Sequence, residues 1–277
     1  MSKLQDSGVR CLFFDTFGTC VDWRTTVTET LWKAAKDALC SATASIDSRA
    51  RSIATDMTRE DWGKFAQDWR DGYYHFTLEI AQDASKPWKT VDEHHLESFK
   101  ALLTSRGLMF PRTDNNNPGD GSLWTEAQVQ DLSLVWHRLD PWPDTRQGFA
   151  ELNKGFQTCI LSNGNMALLN DLVDYGKLPV KQILSAEMFR SYKPSPKVYL
   201  RAVEEMGLKP AQCALVAAHL ADLQAAKSCG LRTVYVERPD EESHKELRNE
   251  SIPDVWVNEH EYGLVSAAEK LGVQVSK

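Results

Sequence analysis

Residues 9 to 24 read VRCLFFDTFGTCVDWR. Val9 to Phe14 is a short apolar run broken only by Arg10, and Asp-Thr-Phe-Gly-Thr follows at 15 to 19. Such a run, ending in a polar cluster that contains glycine, reads as a buried strand and then a tight loop. Gly18 permits the sharp turn. Asp15 then stands just past a strand end with its backbone fixed, where a carboxylate can act as a nucleophile or merely cap the loop. Thr19 can hold it through a hydroxyl hydrogen bond.

Working outward, FQTCIL at 156 to 161, CALVAA at 213 to 218, Thr233 to Val236 and Val255 to Val257 read as further strands, and Ile183 to Ser185 as a short one. Helical patterns lie between them: Thr145 to Leu152, Met166 to Tyr175, Pro196 to Met206 with Gly207 as a stop, and Ala221 to Ala226 closed by Gly230. Alternating strands and helices predict an α/β fold, a mostly parallel sheet covered on both faces. Ligands of such sheets bind outside the carboxyl ends of the strands. Asp15, Ser162 and His219 each fall just past a different strand end, which marks a candidate site.

The stretch from 24 to 138 reads differently. Helical segments dominate: Thr25 to Ala42, Ser48 to Ile80 with breaks, Glu93 to Ser105, and Thr125 to Arg138. This predicts a helical insertion after the first strand, with the core formed by 1–23 and 139–277. Phe110 to Ser122 (FPRTDNNNPGDGS) reads as a surface loop, and Pro141-Trp142-Pro143 as the hinge back to the sheet. DEESHKELRNE at 240 to 250 reads as a solvated helix rather than part of a site.

The chain has 277 residues, with 32 Lys plus Arg against 39 Asp plus Glu, a net charge of −7. That balance argues against a nucleic-acid partner, which calls for a basic patch or stripe. No apolar run is long enough to span a membrane, and the first residues lack a signal peptide's apolar segment and cleavage site. The expectation is a cytoplasmic protein without a membrane partner. Of the six cysteines, Cys11, Cys159 and Cys213 sit in or beside apolar runs, and no CxxC pair occurs. Buried free thiols in a reducing compartment fit better than a disulfide framework or a zinc site.

Ser162 and Asn163 could bind an anion or leaving group by donating hydrogen bonds, or form a simple Asn-Gly turn. Pro194 biases Lys193 away from helical geometry, so a loop presents this lysine; near Asp15 it would keep the carboxylate ionised. The alternative is a surface lysine, the reading given to Lys197. Asp222 would sit near a helix N-terminus, where capping alone explains it; in a site it would hold Lys193 or activate a water.

Four elements, in one order, carry a resemblance: FFDTFGTCVDW around Asp15, ILSNG ending at Gly164, YKPSPKVY from Tyr192 to Tyr199, and AAHLAD from Ala217 to Asp222. Together they resemble the type II haloacid dehalogenase branch of the haloacid dehalogenase superfamily, over nearly the whole chain. The resemblance implies a Rossmann-like core with a helical cap inserted after the first strand. It implies hydrolytic dehalogenation of short 2-haloacids of L configuration through an ester on Asp15, giving 2-hydroxy acids. Thr19, Ser162 and Lys193 match residues that position Asp15 and the substrate carboxylate. Asn163 matches a residue at the leaving halide, and Tyr199 one that supports the site; Phe17 and His219 join the substrate-contacting set. Trp69-Arg70, before Tyr73-Tyr74-His75-Phe76, resembles the family's cap segment, so Arg70 is assigned to substrate or halide, ahead of Arg24. No cofactor or metal is implied. The implied partners are a small carboxylate and water, and a homodimer is suggested.

Two departures stand out. At the third strand, well-characterised L-2-haloacid dehalogenases resemble S-S-N-x-x-D, whereas this chain has AAHLAD. His219 could thus hydrogen-bond Asp222 or the hydrolytic water, or assist as a base. The loop at 110 to 122 looks like an extra insertion. A phosphatase of the same superfamily is the first rival. It would need an acid where Phe17 stands and carboxylates for Mg²⁺, and Asp222 is the only one from 217 to 224. Hydrolysis of a different small acid, or binding without chemistry on the same fold, are the others.

Overall fold

A computed structural model describes residues 8–83, 85–248 and 251–276. The strands are β1 (Cys11–Phe14), β2 (Val21–Asp22), β3 (Asp140–Pro141), β4 (Gln157–Ser162), β5 (Gln182–Ser185), β6 (Cys213–Ala217), β7 (Arg232–Val236) and β8 (Val255–Val257). The helices are α1 (Trp23–Cys40), α2 (Ser48–Asp56), α3 (Arg59–Gln82), α4 (Val91–Ser105), α5 (Glu126–Ser133), α6 (Thr145–Leu152), α7 (Met166–Gly176), α8 (Ala186–Phe189), α9 (Pro196–Glu205), α10 (Leu220–Ser228) and α11 (Gly263–Lys270).

The chain divides into two compact units, one of Met1–Asp22, Thr77–Trp88 and Asp140–Lys277, the other of Trp23–Phe76 and Lys89–Leu139. The first holds a six-stranded sheet in the order β5-β4-β1-β6-β7-β8, and every neighbouring pair in it is parallel. Both faces of β1 are covered: Cys11, Leu12, Phe13 and Phe14 are all fully buried. That is why the run is continuously apolar instead of alternating. From β1 the chain fills one side through β4 and β5, then crosses to β6 on the other. The order therefore reverses around β1, and the crevice beyond its carboxyl end is where such sheets place ligands. Register brings the ends together, since Phe14 lies opposite Ile160 on one side and Val216 on the other.

Glycine sets the packing of α6 on α11. A Cβ on Gly148 would lie 2.3 Å from the Cβ of Leu264, so only glycine lets the two helices approach this closely. Pro141 is not simply a hinge. Asp140–Pro141 pairs antiparallel with Val21–Asp22, a short ladder where the chain leaves and re-enters the first unit. The Trp142 indole adds a hydrogen bond to the Gly18 carbonyl (2.9 Å). Residues 77–88 also count with the first unit, where the Trp88 ring stacks on Tyr192 at 4.6 Å.

The second unit is helical. Thr90 and Glu93 form a capping box that starts α4, and Thr125 and Gln128 another that starts α5. A 3₁₀ turn, Leu134–His137, follows α5. Aromatic rings fill the centre: Trp69 stacks on Phe99 (4.5 Å) and meets Trp136 edge-on (5.4 Å). Among the described residues, no helix is long and apolar enough to cross a membrane. Cys11, Cys20, Cys159 and Cys213 are buried free thiols, whereas Cys40 is exposed.

Candidate active site

β1 delivers Asp15 to the crevice. Its N–H donates to the Val216 carbonyl (3.0 Å), and its own carbonyl accepts from the Cys20 thiol (3.2 Å), so the backbone is fixed on both sides. The chain then turns through Gly18 at φ +80°, a left-handed conformation that favours glycine. This returns Thr19 to the carboxylate. Its hydroxyl donates to Asp15 Oδ2 (2.9 Å) and accepts from the Ala218 N–H (2.9 Å). One hydroxyl thereby ties the β1 loop to the end of β6.

Lys193 supplies the charge. Nζ donates to Asp15 Oδ1 (2.8 Å) and to Asp222 Oδ2 (2.6 Å). The remaining Asp222 oxygen, Oδ1, accepts from the Tyr199 hydroxyl (2.5 Å). Asn163 clamps the lysine's main chain: Oδ1 accepts from the Lys193 N–H (2.7 Å), and Nδ2 donates to the Lys193 carbonyl (3.2 Å). Burial by itself would raise Asp15, but the charge of Lys193, then the hydrogen bond and charge of His219, outweigh it. They hold this carboxyl well below the usual range. Burial would lower Lys193, yet Asp15 and Asp222 hold it above an ordinary lysine. Burial and the Asp222 charge push the Tyr199 hydroxyl well up, so it remains a donor.

His219 lies with Nδ1 3.2 Å from Asp15 Oδ2. The sequence offered it Asp222, the hydrolytic water or a role as a base. Its other nitrogen, Nε2, lies 3.3 Å from Glu241 Oε2. Glu241 belongs to the stretch whose charges predict a solvated helix, and the structure differs on both counts. Residues 240 to 248 form a loop with a single 3₁₀ turn, Lys245–Leu247; positions 249 and 250 lie outside the described residues. Glu241 is only 7% exposed. Its neighbour Glu242 accepts from the Leu220 N–H (2.7 Å) at the start of α10. That caps the helix in place of Asp222, which sits in its first turn and faces Lys193.

Arg238 was not singled out by the sequence. It is buried, makes a two-pronged pair with Asp144 (2.6 and 2.8 Å), and donates from Nε to the Thr19 carbonyl (3.1 Å). It anchors the loop after β7 to the loop after β1. Only its position two residues past an apolar strand hinted at this.

The structure thus joins Asp15, Thr19, Lys193, Asp222, Tyr199 and His219 in one network, with Asn163 attached through the lysine backbone. Ser162 closes β4, fully buried, and its hydroxyl accepts from the Gly164 N–H at 3.4 Å. Phe17 is buried and bridges to Val21 within the turn. Lys197 is exposed on α9. Arg70 lies on α3 in the helical unit. It is buried, donates to the Tyr74 hydroxyl (3.0 Å), and lies over the rings of Tyr74 (4.4 Å) and Tyr73 (4.6 Å). Arg24, also in that unit, donates to Gln67 (2.6 Å). More acids gather near His219 than a count over 217–224 finds, because Glu241 and Glu242 arrive from the β7 loop. Among the described residues, however, no three or more His, Cys, Asp or Glu are grouped so as to hold a metal ion.

A family model for haloacid dehalogenase-like hydrolases matches residues 9–230. The chain belongs to this family. Haloacid dehalogenase-like relatives with close likeness include (S)-2-haloacid dehalogenase 1 of Pseudomonas sp. (strain CBS-3), 29% identical over 234 residues, 83% of this chain and 85% of that one. Among solved structures, the L-2-haloacid dehalogenase PA0810 is 30% identical with a TM-score of 0.74, over 96% of this chain and 100% of that one. The defluorinating L-2-haloacid dehalogenase Rha0230 is 28% identical with a TM-score of 0.77, over 98% and 99%. The parallel sheet and its helices are the α/β fold of this haloacid dehalogenase-like family.

Proposed function

We propose that the protein hydrolyses the carbon–halogen bond of short 2-haloacids of L configuration. An Asp15 oxygen attacks C2 as the carbon–halogen bond breaks, and halide leaves with the bonding electrons. C2 inverts, and the substrate is left as an ester on Asp15. Water then attacks Cγ of Asp15, and the bond from Cγ to the substrate-bearing oxygen breaks. A 2-hydroxy acid departs and the carboxylate returns, so one group serves both steps.

The observation that carries this reading is the state of Asp15. It is a buried carboxylate on a rigid turn, kept ionised by Lys193 at 2.8 Å. A nucleophile needs that charge, and burial strips the water that would blunt it. Phe17 argues against a phosphatase, because its side chain carries no proton for a leaving group.

The test is chloride release from each enantiomer of 2-chloropropionate, with EDTA present, by wild type and Asp15→Asn. Release from the L enantiomer only, unaffected by EDTA and lost in the variant, is expected. No release from either enantiomer by folded wild-type protein overturns the proposal.

A further inference from the structure

Asp222 and His219 both stand at the β6 end of the crevice, and the structure treats them differently. Both Asp222 oxygens accept short hydrogen bonds, from Tyr199 and Lys193 (2.5 and 2.6 Å). An acid committed twice over is poorly placed to take a proton from water. His219 faces the Asp15 carboxylate directly through Nδ1, and its other nitrogen faces a second buried carboxylate. Glu241 is placed there by several features at once. A Cβ on Gly18 would lie 2.0 Å from Glu241 Oε2, so the side chain fills the space that glycine leaves open. The Glu241 N–H donates to the Arg238 carbonyl (3.4 Å), and Arg238 is itself locked to Asp144 and Thr19. A carboxylate on the far nitrogen of an imidazole fixes the ring's tautomer and orientation.

We infer that His219 is the base that activates water for hydrolysis of the Asp15 ester, and that Glu241 is its positioning residue. The inference rests on the two-step reading above. Once Asp15 is esterified, the charge facing Nδ1 is gone, and a proton held there passes to solvent. Nε2–H remains on Glu241, so the Nδ1 lone pair points at the ester. Water gives a proton to Nδ1 as its oxygen bonds to Cγ. The bond from Cγ to the substrate-bearing oxygen breaks, and the departing alkoxide recovers a proton from Nδ1. The remaining carboxyl proton returns to Nδ1, which restores the starting arrangement around an ionised Asp15.

The decisive experiment is rapid-quench of L-2-chloropropionate turnover, reading chloride and the intact mass of the protein, in wild type, Glu241→Gln, His219→Asn and Asp222→Asn. Glu241→Gln keeps the shape of the side chain and removes its charge. In Glu241→Gln and His219→Asn the expected result is a prompt burst of about one chloride per site. Steady turnover then falls roughly 10²- to 10⁴-fold, the range for losing general-base catalysis, while a carboxyethyl adduct accumulates on Asp15. A merely structural role slows the burst as well and leaves no adduct. The inference is overturned by that pattern, by wild-type turnover in both variants, or by an adduct that accumulates only in Asp222→Asn. Absence of chloride from wild type overturns the proposed function, and the inference with it; the other patterns overturn the inference alone.

Discussion

Replacing Lys193 by methionine removes the cation shared by two buried carboxylates and keeps most of its volume. At 2.8 Å from Asp15, a unit charge pair at an effective dielectric of about 20 attracts by about 6 kcal/mol. Much of that is offset in the folded protein by the desolvation of both groups. Breaking a buried pair from one side leaves a net loss of about 3–5 kcal/mol, which sets the expected fall in unfolding free energy by urea titration near neutral pH. The pH dependence is the sharper readout. In wild type the Asp15 carboxyl is held below its unfolded value of 3.8. Its contribution to stability is therefore complete above that value and is lost as pH falls through the folded value. Without Lys193, only the His219 hydrogen bond and charge oppose burial, so the carboxyl moves up from its wild-type position. Less of its stabilisation then remains, and that part is lost at a higher pH than in wild type. Halide release should fall by about two to four orders of magnitude at neutral pH if 3–5 kcal/mol of nucleophile stabilisation is lost, with the acid limb of the pH profile moved upward. Adding Asp222→Asn removes the second stranded carboxylate, so Lys193→Met/Asp222→Asn should be more stable than Lys193→Met alone. A Lys193→Met protein with wild-type stability, wild-type turnover and an unmoved pH profile would mean that Lys193 does not hold Asp15 ionised.

Other outcomes follow from the same geometry. Arg238→Met strands the buried Asp144 carboxylate and should lower unfolding free energy by about 3–5 kcal/mol, read as a shift in the urea midpoint. Tyr199→Phe removes the donor to Asp222 Oδ1. A loss of about 1–3 kcal/mol of stability with KM unchanged is expected; a raised KM would instead place this hydroxyl on the substrate. In the helical unit, burial holds His94 down to about 4 and His95 well below its ordinary 6.5. Both are folded as neutral rings, so their contribution is intact above 6.5 and is lost as pH falls from there through the folded values. Tryptophan fluorescence should report this acid sensitivity, since His95 stacks on Trp136 at 4.7 Å; His95→Gln should reduce it.

The sheet was legible because its central strands β1 and β6 are buried on both faces. Four residues such as those of β1, with no polar alternation, have few other places to go than the middle of a covered sheet. The motif order then put Asp15 and Lys193 on loops and Asp222 at the start of a helix, and the structure joins the three through hydrogen bonds. Charge composition misled at 240 to 248, because a run dense in acids and bases looks solvated unless a specific cavity awaits one of them. Glu241 has such a cavity, and it exists only because Gly18, more than 200 positions earlier, lacks a Cβ. Arg238 and Asp144 were hidden for the same reason: a buried ion pair between distant positions leaves no local period. The Asn163 amide shows the limit of motif matching. Its place at the end of β4 was readable, but its hydrogen bonds to Lys193 were not readable from SNG.

The charge arrangement around Asp15 has a logic that the individual distances do not state. In the proposed reaction the negative charge of Asp15 departs with the halide and returns only when the ester is hydrolysed. A cation paired with Asp15 alone would be stranded in a buried site during that interval, at a cost of several kcal/mol. Lys193 avoids this because Asp222 stays beside it at 2.6 Å, so the pair is neutral whether or not Asp15 is esterified. His219 also has a carboxylate behind it: Glu241 keeps hold of Nε2–H when the Nδ1 proton leaves. Each basic side chain that faces the nucleophile thus keeps a carboxylate of its own on the far side. The consequence is testable at the ester stage: Asp222→Asn should destabilise the esterified protein more than the free one, whereas Thr19→Val, which removes a neutral donor, should weaken the free carboxylate form more.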